Sequence, residues 1–440
     1  MTKIVKFGGS SLADATQFKK VYDIIKADPT RRFVVPSAPG KRFAEDTKVT
    51  DLLYKAYYAK TQNEFNMTFE EIKSRYQDII DGLNLDISLD TDFIEIQKNF
   101  EKQVGIDYAA SRGEYLNGKL LANYLGFEFI DAKDVIFIDA HGNYDIKKTD
   151  PILSKTLMEV EYAVIPGFYG SLNDGSGNIK TFSRGGSDVT GSIVAKNGKV
   201  DLYENWTDVS GFLIADPRIV KKPDVIETIT YKELRELSYM GASVLHENSV
   251  FPVRKEGIPI NIKNTNKPED PGTLIVESTC HKPTHVITGI AGTKGFATVM
   301  IEKDMMNSEI GFGRKVLQVF EDHDLSFEHM PSGIDTMTII VNTAEFIFKE
   351  QDILAGIHRA VHPDSIVLES DLALIAVVGR GMKASRGTAA RIFQALAKEN
   401  INIKMIDQGS SELNIIVGVR NCYFNQAIKA IYNEFILNDK

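Results

Sequence analysis

The chain reads as α/β, a parallel-rich sheet with helices on both faces, followed by two small α+β modules. Three observations predict this. Through the first two-thirds, short apolar runs alternate with amphipathic helical patterns, the rhythm of parallel strands joined by crossover helices. A turn-rich passage closes that rhythm, and beyond it the last third repeats itself.

Taken in order, Ile4-Val5-Lys6-Phe7 is the first strand, residues 15–27 an amphipathic helix, Arg32-Phe33-Val34-Val35 the second strand and residues 49–60 the next helix. Residues 61–104 are charged and helical in pattern. Within them Thr68 and Glu71 stand at capping-box spacing, and the stretch is read as a helical insertion or lid support. Pro271-Gly272-Thr273-Leu274-Ile275 closes the α/β pattern, and the polar residues 277–282 with Pro283 suit a domain junction.

The repeat aligns residues 311–320 with 387–396, then 323–327 with 399–403 and 338–341 with 414–417, all without a gap. Each copy runs strand, Gly-containing loop, amphipathic helix, strand, turn, strand, with residues 298–301 and 374–378 leading. Two ferredoxin-like modules follow, with sheet edges free to pair. The expected domains are 1–280, 291–370 and 371–440.

The bulk numbers exclude several classes. At 440 residues and 43% hydrophobic the chain can bury large cores in two or three domains. A net charge of −9 argues against broad binding of a nucleic-acid backbone. Cys280 and Cys422 are the only cysteines, too few for a disulfide framework and in keeping with a reducing cytoplasm. No apolar leader or membrane-length run is present, so a cytoplasmic location with no membrane partner is expected. His281 and His285 have no clustered third ligand, so no protein-built metal site is expected.

Two glycine pairs carry the chemistry. Lys6-Phe7-Gly8-Gly9-Ser10-Ser11 follows a strand and precedes a helix, so it offers backbone N–H groups and a cation to an anion. It matches neither a Walker loop nor a dinucleotide fingerprint, and alone it reads first as a tight turn. Thr181-Phe182-Ser183-Arg184-Gly185-Gly186-Ser187-Asp188 sets a second glycine pair beside a guanidinium, a hydroxyl and a carboxylate. Arg184 can hold a carboxylate or phosphate bidentately, and Asp188 can orient a lysine or an ammonium group; an Arg–Asp pair at an ordinary cap is the plainer reading. In Ser111-Arg112-Gly113-Glu114, Glu114 falls near an expected helix start, where it is either a solvated first-turn acid or a group that captures an ammonium. Ser37-Ala38-Pro39-Gly40 and Thr50-Asp51 are turn and cap chemistry, or substrate contacts. Thr207-Asp208-Val209-Ser210-Gly211 and Asp216-Pro217-Arg218 flank a nucleotide, or form a turn with a surface ion pair.

In this order the segments resemble the aspartokinases, the aspartate-specific branch of the amino-acid kinase family. The resemblance rests on Lys6 to Ser11, Arg112-Gly113-Glu114, Phe182 to Asp188, Thr207 to Gly211, Asp216-Pro217-Arg218, Gly241-Ala242 with Val244-Leu245-His246, and Asp270-Pro271-Gly272-Thr273. It covers nearly the whole chain, and the repeated modules resemble that family's tandem ACT domains. It implies a carbamate-kinase-like catalytic sheet and a monofunctional enzyme. The implied reaction is phosphorylation of the β-carboxylate of L-aspartate by ATP with Mg²⁺ held mainly through the nucleotide phosphates. That would be the entry to lysine, threonine and methionine synthesis.

By the same resemblance Lys6 would neutralise the transferring phosphoryl group, with Gly8, Gly9, Ser10 and Ser187 around the phosphate. Arg184 would take the α-carboxylate, Glu114 the α-ammonium, and Thr50 would help to hold the substrate. Asp188 would orient Lys6 or the ammonium, and Thr207, Asp208 and Arg218 would line the nucleotide. Ser243, a lysine in many relatives, and Leu213, near which relatives carry an aromatic, depart from the pattern on the nucleotide side. Lysine is the implied effector, bound near Met306, Phe312, Ser326, Phe327 and Glu328, with a homodimer or dimer of dimers formed through the ACT modules. The alternatives are a kinase for another acid, such as glutamate or a carbamate, and a non-catalytic amino-acid sensor.

Overall fold

The computed structural model describes residues 1–183, 185–242, 245, 247–279 and 283–438. They form two compact units, Met1–Phe212 with Val225–Tyr231 and Ser243–Thr279, and Leu213–Asp224 with Lys232–Ala242 and Cys280–Lys440. The two short segments 213–224 and 232–242, inside the span 1–280 read from sequence as one domain, thus belong to the second unit. A buried ion pair ties the second of them in: Glu233, fully buried, accepts from Thr288 at 2.6 Å and pairs with Arg380 at 3.1 Å. No helix among the described residues is long and apolar enough to cross a membrane.

The strands of the first unit are β1 (Lys3–Phe7), β2 (Arg31–Pro36), β3 (Glu128–Phe129), β4 (Phe137–Ile138), β5 (Ala163–Val164), β6 (Tyr169–Leu172), β7 (Ile179–Thr181), β8 (Leu202–Thr207), β9 (Thr228–Thr230), β10 (Ile260–Asn264) and β11 (Thr273–Val276). Among the described residues the main sheet has the order β3-β5-β2-β1-β8-β10-β11-β9; only the β10–β11 pair is antiparallel. β4, β6 and β7 form a small separate sheet. β1 is central, and Ile4, Val5 and Phe7 are fully buried, which is why the strand reads as an apolar run. Lys6, at its C-terminal end, is the exception. In a parallel sheet that end is where connecting loops gather and ligands bind.

Five helices support that end: α1 (Ala15–Lys26), α2 (Val49–Tyr57), α3 (Gln62–Leu83), α4 (Asp90–Glu101) and α5 (Ile106–Leu125). Asp14 caps α1 by accepting from the Gln17 N–H at 2.9 Å. The capping-box assignment at Thr68 and Glu71 is corrected: α3 is capped by Thr61, whose hydroxyl accepts from the Glu64 N–H at 3.1 Å, while Thr68 lies buried within the helix. Phe69, Ile72, Tyr76, Phe93, Ile96 and Phe100 of α3 and α4 pack in the same core as Val5, Phe7 and Val34. The charged stretch is therefore helical, and its helices form a layer of this core.

From α3, Arg75 reaches into the loops below. Its guanidinium, 2% exposed, donates to the carbonyls of Gly40 (2.8 Å), Thr47 (3.0 Å) and Ala13 (3.4 Å) and pairs with Asp46 at 3.1 Å. Asp46 also takes two hydrogen bonds from the Arg42 guanidinium, which hold its carboxyl well below the usual range. Arg75→Met would leave these acceptors without their donor, and a loss on the order of 3 kcal/mol is expected, read as a drop in denaturant midpoint at unchanged slope.

The second unit holds β12 (Gly289–Glu302), β13 (Thr336–Asn342), β14 (Ser365–Val378), β15 (Met405–Asp407) and β16 (Asn414–Val419). They form one antiparallel sheet in the order β13-β12-β14-β16-β15. The two repeats interlock in it. The first half of β12 pairs with the second half of β14 (Gly289↔Val378 to Lys294↔Ala373), and its second half with the first half (Thr298↔Glu369 to Glu302↔Ser365), across a shift of register at 294–298. The boundary placed at 370/371 falls inside β14, because one long strand serves both modules. The repeat itself shows in the helices Phe312–Asp322 and Thr388–Lys398, preceded by Gly311 and Gly387 at φ of 82° and 83°, a left-handed conformation that favours glycine.

Candidate active site

The ends of β2, β1 and β8 lie side by side, with Phe7 opposite both Pro36 and Trp206. The loops that follow are tied together by their backbones: Gly8 N–H to the Trp206 carbonyl (3.0 Å), Ser37 N–H to that of Phe7 (3.0 Å) and Gly40 N–H to that of Gly9 (2.8 Å). The Gly8 N–H, expected to be bare, is thus engaged by the neighbouring strand. Those of Gly9 and Ser10, opening the 3-10 turn Gly9–Leu12, have no protein acceptor among the described residues. Gly9 is required sterically, since a methyl there would lie 2.8 Å from the Ala38 carbonyl oxygen.

Lys6 Nζ lies under this loop; a methyl on Gly8 would be 3.8 Å from it. It makes an ion pair of 2.6 Å with Asp188 Oδ1 and a contact of 3.5 Å with Asn205 Oδ1, while Asn205 Nδ2 donates to the same Asp188 oxygen at 2.9 Å. Asp188 is thus in direct contact with Lys6. Asn205 was not identified from sequence; its place follows from the register, which sets it opposite Lys6 in the β1–β8 pair. Asp188 lies in the first turn of the helix Gly186–Asn197, where a carboxylate is favoured by the helix dipole. Ser187 comes before it, its Oγ 2.6 Å from where a methyl on Gly167 would stand, and Gly167 bonds through its N–H to the Pro36 carbonyl.

Glu114 is corrected in position. α5 begins at Ile106, so Glu114 is in mid-helix, 6% exposed, without a helix N-terminus beside it. Burial raises its carboxyl to about 8, against the opposing effects of the Ala38 N–H and the Arg112 charge, and Oε2 has no hydrogen-bond partner among the described residues. Next to it, Gly113 lets the Ser37–Gly40 loop and α2 approach closely: a methyl there would be 2.7 Å from the Ala38 Cβ and 3.8 Å from Thr50 Oγ1. Thr50 thus approaches α5 one residue before Glu114. Arg112 faces three rings, those of Tyr108 (4.6 Å), Tyr115 (4.5 Å) and Tyr169 (5.3 Å), a structural use of its charge.

Thr207 and Asp208 follow β8, with the Thr207 hydroxyl donating to Asp208 at 3.2 Å. Arg218 belongs to the second unit, where its side chain is 87% exposed and pairs with Asp216 at 2.6 Å, the surface ion pair that was its other reading. Arg184, Ser243, Val244, His246, Cys280 and His281 lie outside the described residues.

The five effector positions separate within the second unit. Met306 and Phe312 are buried in the core of the first repeat with Val316, Phe320 and Ile339. Ser326 and Phe327, together with Leu317, Glu321 and Asp324, line a surface groove of about 600 Å³. The Glu328 carboxylate accepts a hydrogen bond from the Tyr239 hydroxyl.

Comparison with known proteins places the whole chain. Residues 1–264 match the amino acid kinase family and residues 375–435 an ACT domain. Aspartokinase 3 of Bacillus subtilis is 42% identical over 98% of this chain and 98% of its own length. The crystal structure of Clostridium acetobutylicum aspartate kinase is 53% identical, with a TM-score of 0.88 over 98% of this chain and 99% of that one. Escherichia coli aspartokinase III, solved with aspartate and ADP, shares the fold at 23% identity, with a TM-score of 0.75 over 99% of each chain. A glycine loop over a lysine, a buried carboxylate and a C-terminal antiparallel sheet agree with these matches, and the chain belongs to the aspartokinases, the aspartate kinases of the amino acid kinase family.

Proposed function

We propose that the chain transfers the γ-phosphoryl group of ATP to the β-carboxylate of L-aspartate, giving ADP and 4-phospho-L-aspartate at the entry to lysine, threonine and methionine synthesis. The observation that carries this is the pairing of two unlike walls: a cation under a glycine loop, and a buried carboxylate with one oxygen unpartnered among the described residues, on the helix that Thr50 approaches at Gly113. Phosphoryl transfer needs in-line positioning and neutralised charge more than a covalent nucleophile. Lys6, held by Asp188 and Asn205, supplies the positive charge where two anions meet, and the Gly9 and Ser10 N–H groups supply dipoles. Glu114 takes the α-ammonium and Thr50 the acceptor's carboxylate. Arg184 takes the α-carboxylate, Ser187 and Gly8 border the phosphate, and Thr207 and Asp208 flank the nucleotide.

Magnesium fits the residues present: Asp188 Oδ1 is taken by Lys6 and Asn205, which leaves one carboxylate oxygen for an ion carried mainly by nucleotide phosphates. It would supply charge neutralisation on the β- and γ-phosphates.

The test is direct. Purified protein with Mg-ATP, hydroxylamine and a panel of acidic amino acids should yield aspartyl hydroxamate. None would end this reading, and a larger signal with glutamate would move it to another acceptor.

For regulation we propose lysine as the effector, its ammonium drawn to Glu328 beside the groove lined by Ser326 and Phe327, in a dimer formed through the ACT sheet. The Tyr239 hydroxyl already donates to one oxygen of that carboxylate, Oε2, and competes with an incoming ammonium for it. Tyr239→Phe should therefore lower the lysine concentration for half-inhibition about 5-fold, the size of one hydrogen bond removed from a competitor. An unchanged or higher value would exclude the competition.

A further inference from the structure

Two buried acceptors on one face of α5 have no hydrogen-bond donor among the described residues. Glu114 Oε2 and Asn117 Oδ1 both lack a hydrogen-bond partner, and their residues are 6% and 0% exposed. They stand three residues apart, one turn of the same helix. Both address one short segment. Asn117 Nδ2 donates to the Ser37 carbonyl at 2.6 Å, which turns Oδ1 away from Ser37, and the Ala38 N–H faces the Glu114 carboxyl. The cations nearest in sequence are engaged elsewhere: Arg112 lies over its three tyrosine rings and donates to Ser111, and Lys119 pairs with Asp92 at 2.7 Å.

An unsatisfied buried acceptor is costly, and buried side-chain oxygens in folded proteins nearly always have a donor. Two on one turn of the helix that Thr50 approaches call for a donor with more than one N–H that arrives from outside. A primary ammonium has three. A carboxylate alone would also hold a metal cation or a water; a neutral amide oxygen paired with it favours a small cation that donates hydrogen bonds.

We infer that Asn117 is a specificity-determining residue of the acceptor site, its Oδ1 taking one N–H of the same α-ammonium group that Glu114 neutralises. The inference rests on the aspartate reading above and extends it to a residue outside the segments that carry the family resemblance. Glu114 supplies charge and Asn117 supplies direction: the amide, held by Ser37, fixes where the ammonium points and so which carboxylate is presented for transfer. Deaminated dicarboxylates, which lack that group, gain nothing from Asn117.

The experiment compares aspartate with succinate and glutarate, dicarboxylates with no donor in place of the amino group, on full-length Asn117→Ala and Asn117→Ser. KM for aspartate and the competitive inhibition constants of the analogues are read on the same preparation, so a loss of folded enzyme cancels. The expected result is a rise in the aspartate KM of roughly tenfold, with the inhibition constants unchanged within about twofold. A parallel rise for aspartate and the analogues, or no rise for aspartate, would overturn the inference. Glu114→Gln is the control that separates the two claims. If it raises the aspartate KM and the Asn117 variants do not, this inference fails alone; if it too leaves aspartate unchanged, the reading of the site on which it rests fails.

Discussion

Lys6→Ala is expected to lower kcat for aspartyl phosphate formation by about 10²- to 10³-fold, the range found when one preorganised charge-stabilising group is removed from a transition state. KM for aspartate should change by less than about threefold, because the ammonium and carboxylate contacts assigned to the acceptor lie on other residues. The reason lies in how Lys6 is held. Its ammonium is nearly buried at the end of a central strand; the register of β1 on β8 sets it against Asn205, and Asn205 in turn holds the Asp188 carboxylate with which Lys6 pairs. A charge fixed in advance needs no reorganisation when the phosphoryl group passes. Steady-state kinetics by hydroxamate trapping give both constants, and a mainly raised KM would place Lys6 in acceptor binding instead. Asp188→Asn should show a weaker form of the same effect, since Asn205 still contacts Lys6.

Glu114→Gln should raise KM for aspartate on the order of 100-fold and leave kcat far less affected, because it removes a buried partner for a charged group. It should also alter two pH dependences. In the free protein the Glu114 carboxyl is held to about 8 from an ordinary value of 4.5, so it is protonated when empty at neutral pH. An arriving ammonium favours the ionised form; apparent affinity for aspartate should therefore improve as pH rises towards about 8, and the variant should lose that slope.

For stability the sign is opposite. The folded state holds this proton more tightly than the unfolded chain, so its contribution is fully present below about 4.5 and is lost as pH climbs towards about 8. Glu114→Gln, neutral throughout, should become more stable than the wild type across that window, by on the order of a few kcal/mol at its upper end. Melting temperatures of both proteins without ligand at pH 5.5 and 8 measure it. A gap that does not widen with pH would show that the carboxyl is not protonated in the empty site.

Helix starts were where local patterns misled most. Ser111 resembles a cap, yet its hydroxyl donates back to the Tyr108 carbonyl at 2.7 Å within α5. Thr68 resembles another and is buried in the middle of α3. Serine and threonine can satisfy either arrangement, and only the packing of a helix selects between them. The consequence is chemical, because a first-turn Glu114 would be an ordinary ionised acid, whereas a mid-helix, buried one becomes a proton-bearing receptor.

From sequence alone came the parallel-rich sheet, the strand carrying Lys6, the glycine loop after it, the second glycine pair Gly185-Gly186 ahead of Ser187 and Asp188, and the repeat in the last third. All of these are written in neighbouring residues, through apolar period, glycine placement and internal similarity. What only the tertiary structure decided are contacts between residues far apart in the chain: Lys6 with Asn205 across 199 positions, Arg75 with the Gly40 carbonyl, Asn117 with the Ser37 carbonyl, and one strand shared by both ACT modules. Strand register and helix packing set such contacts. Neither leaves a mark in a local pattern, because each depends on how distant segments bury one another's apolar faces.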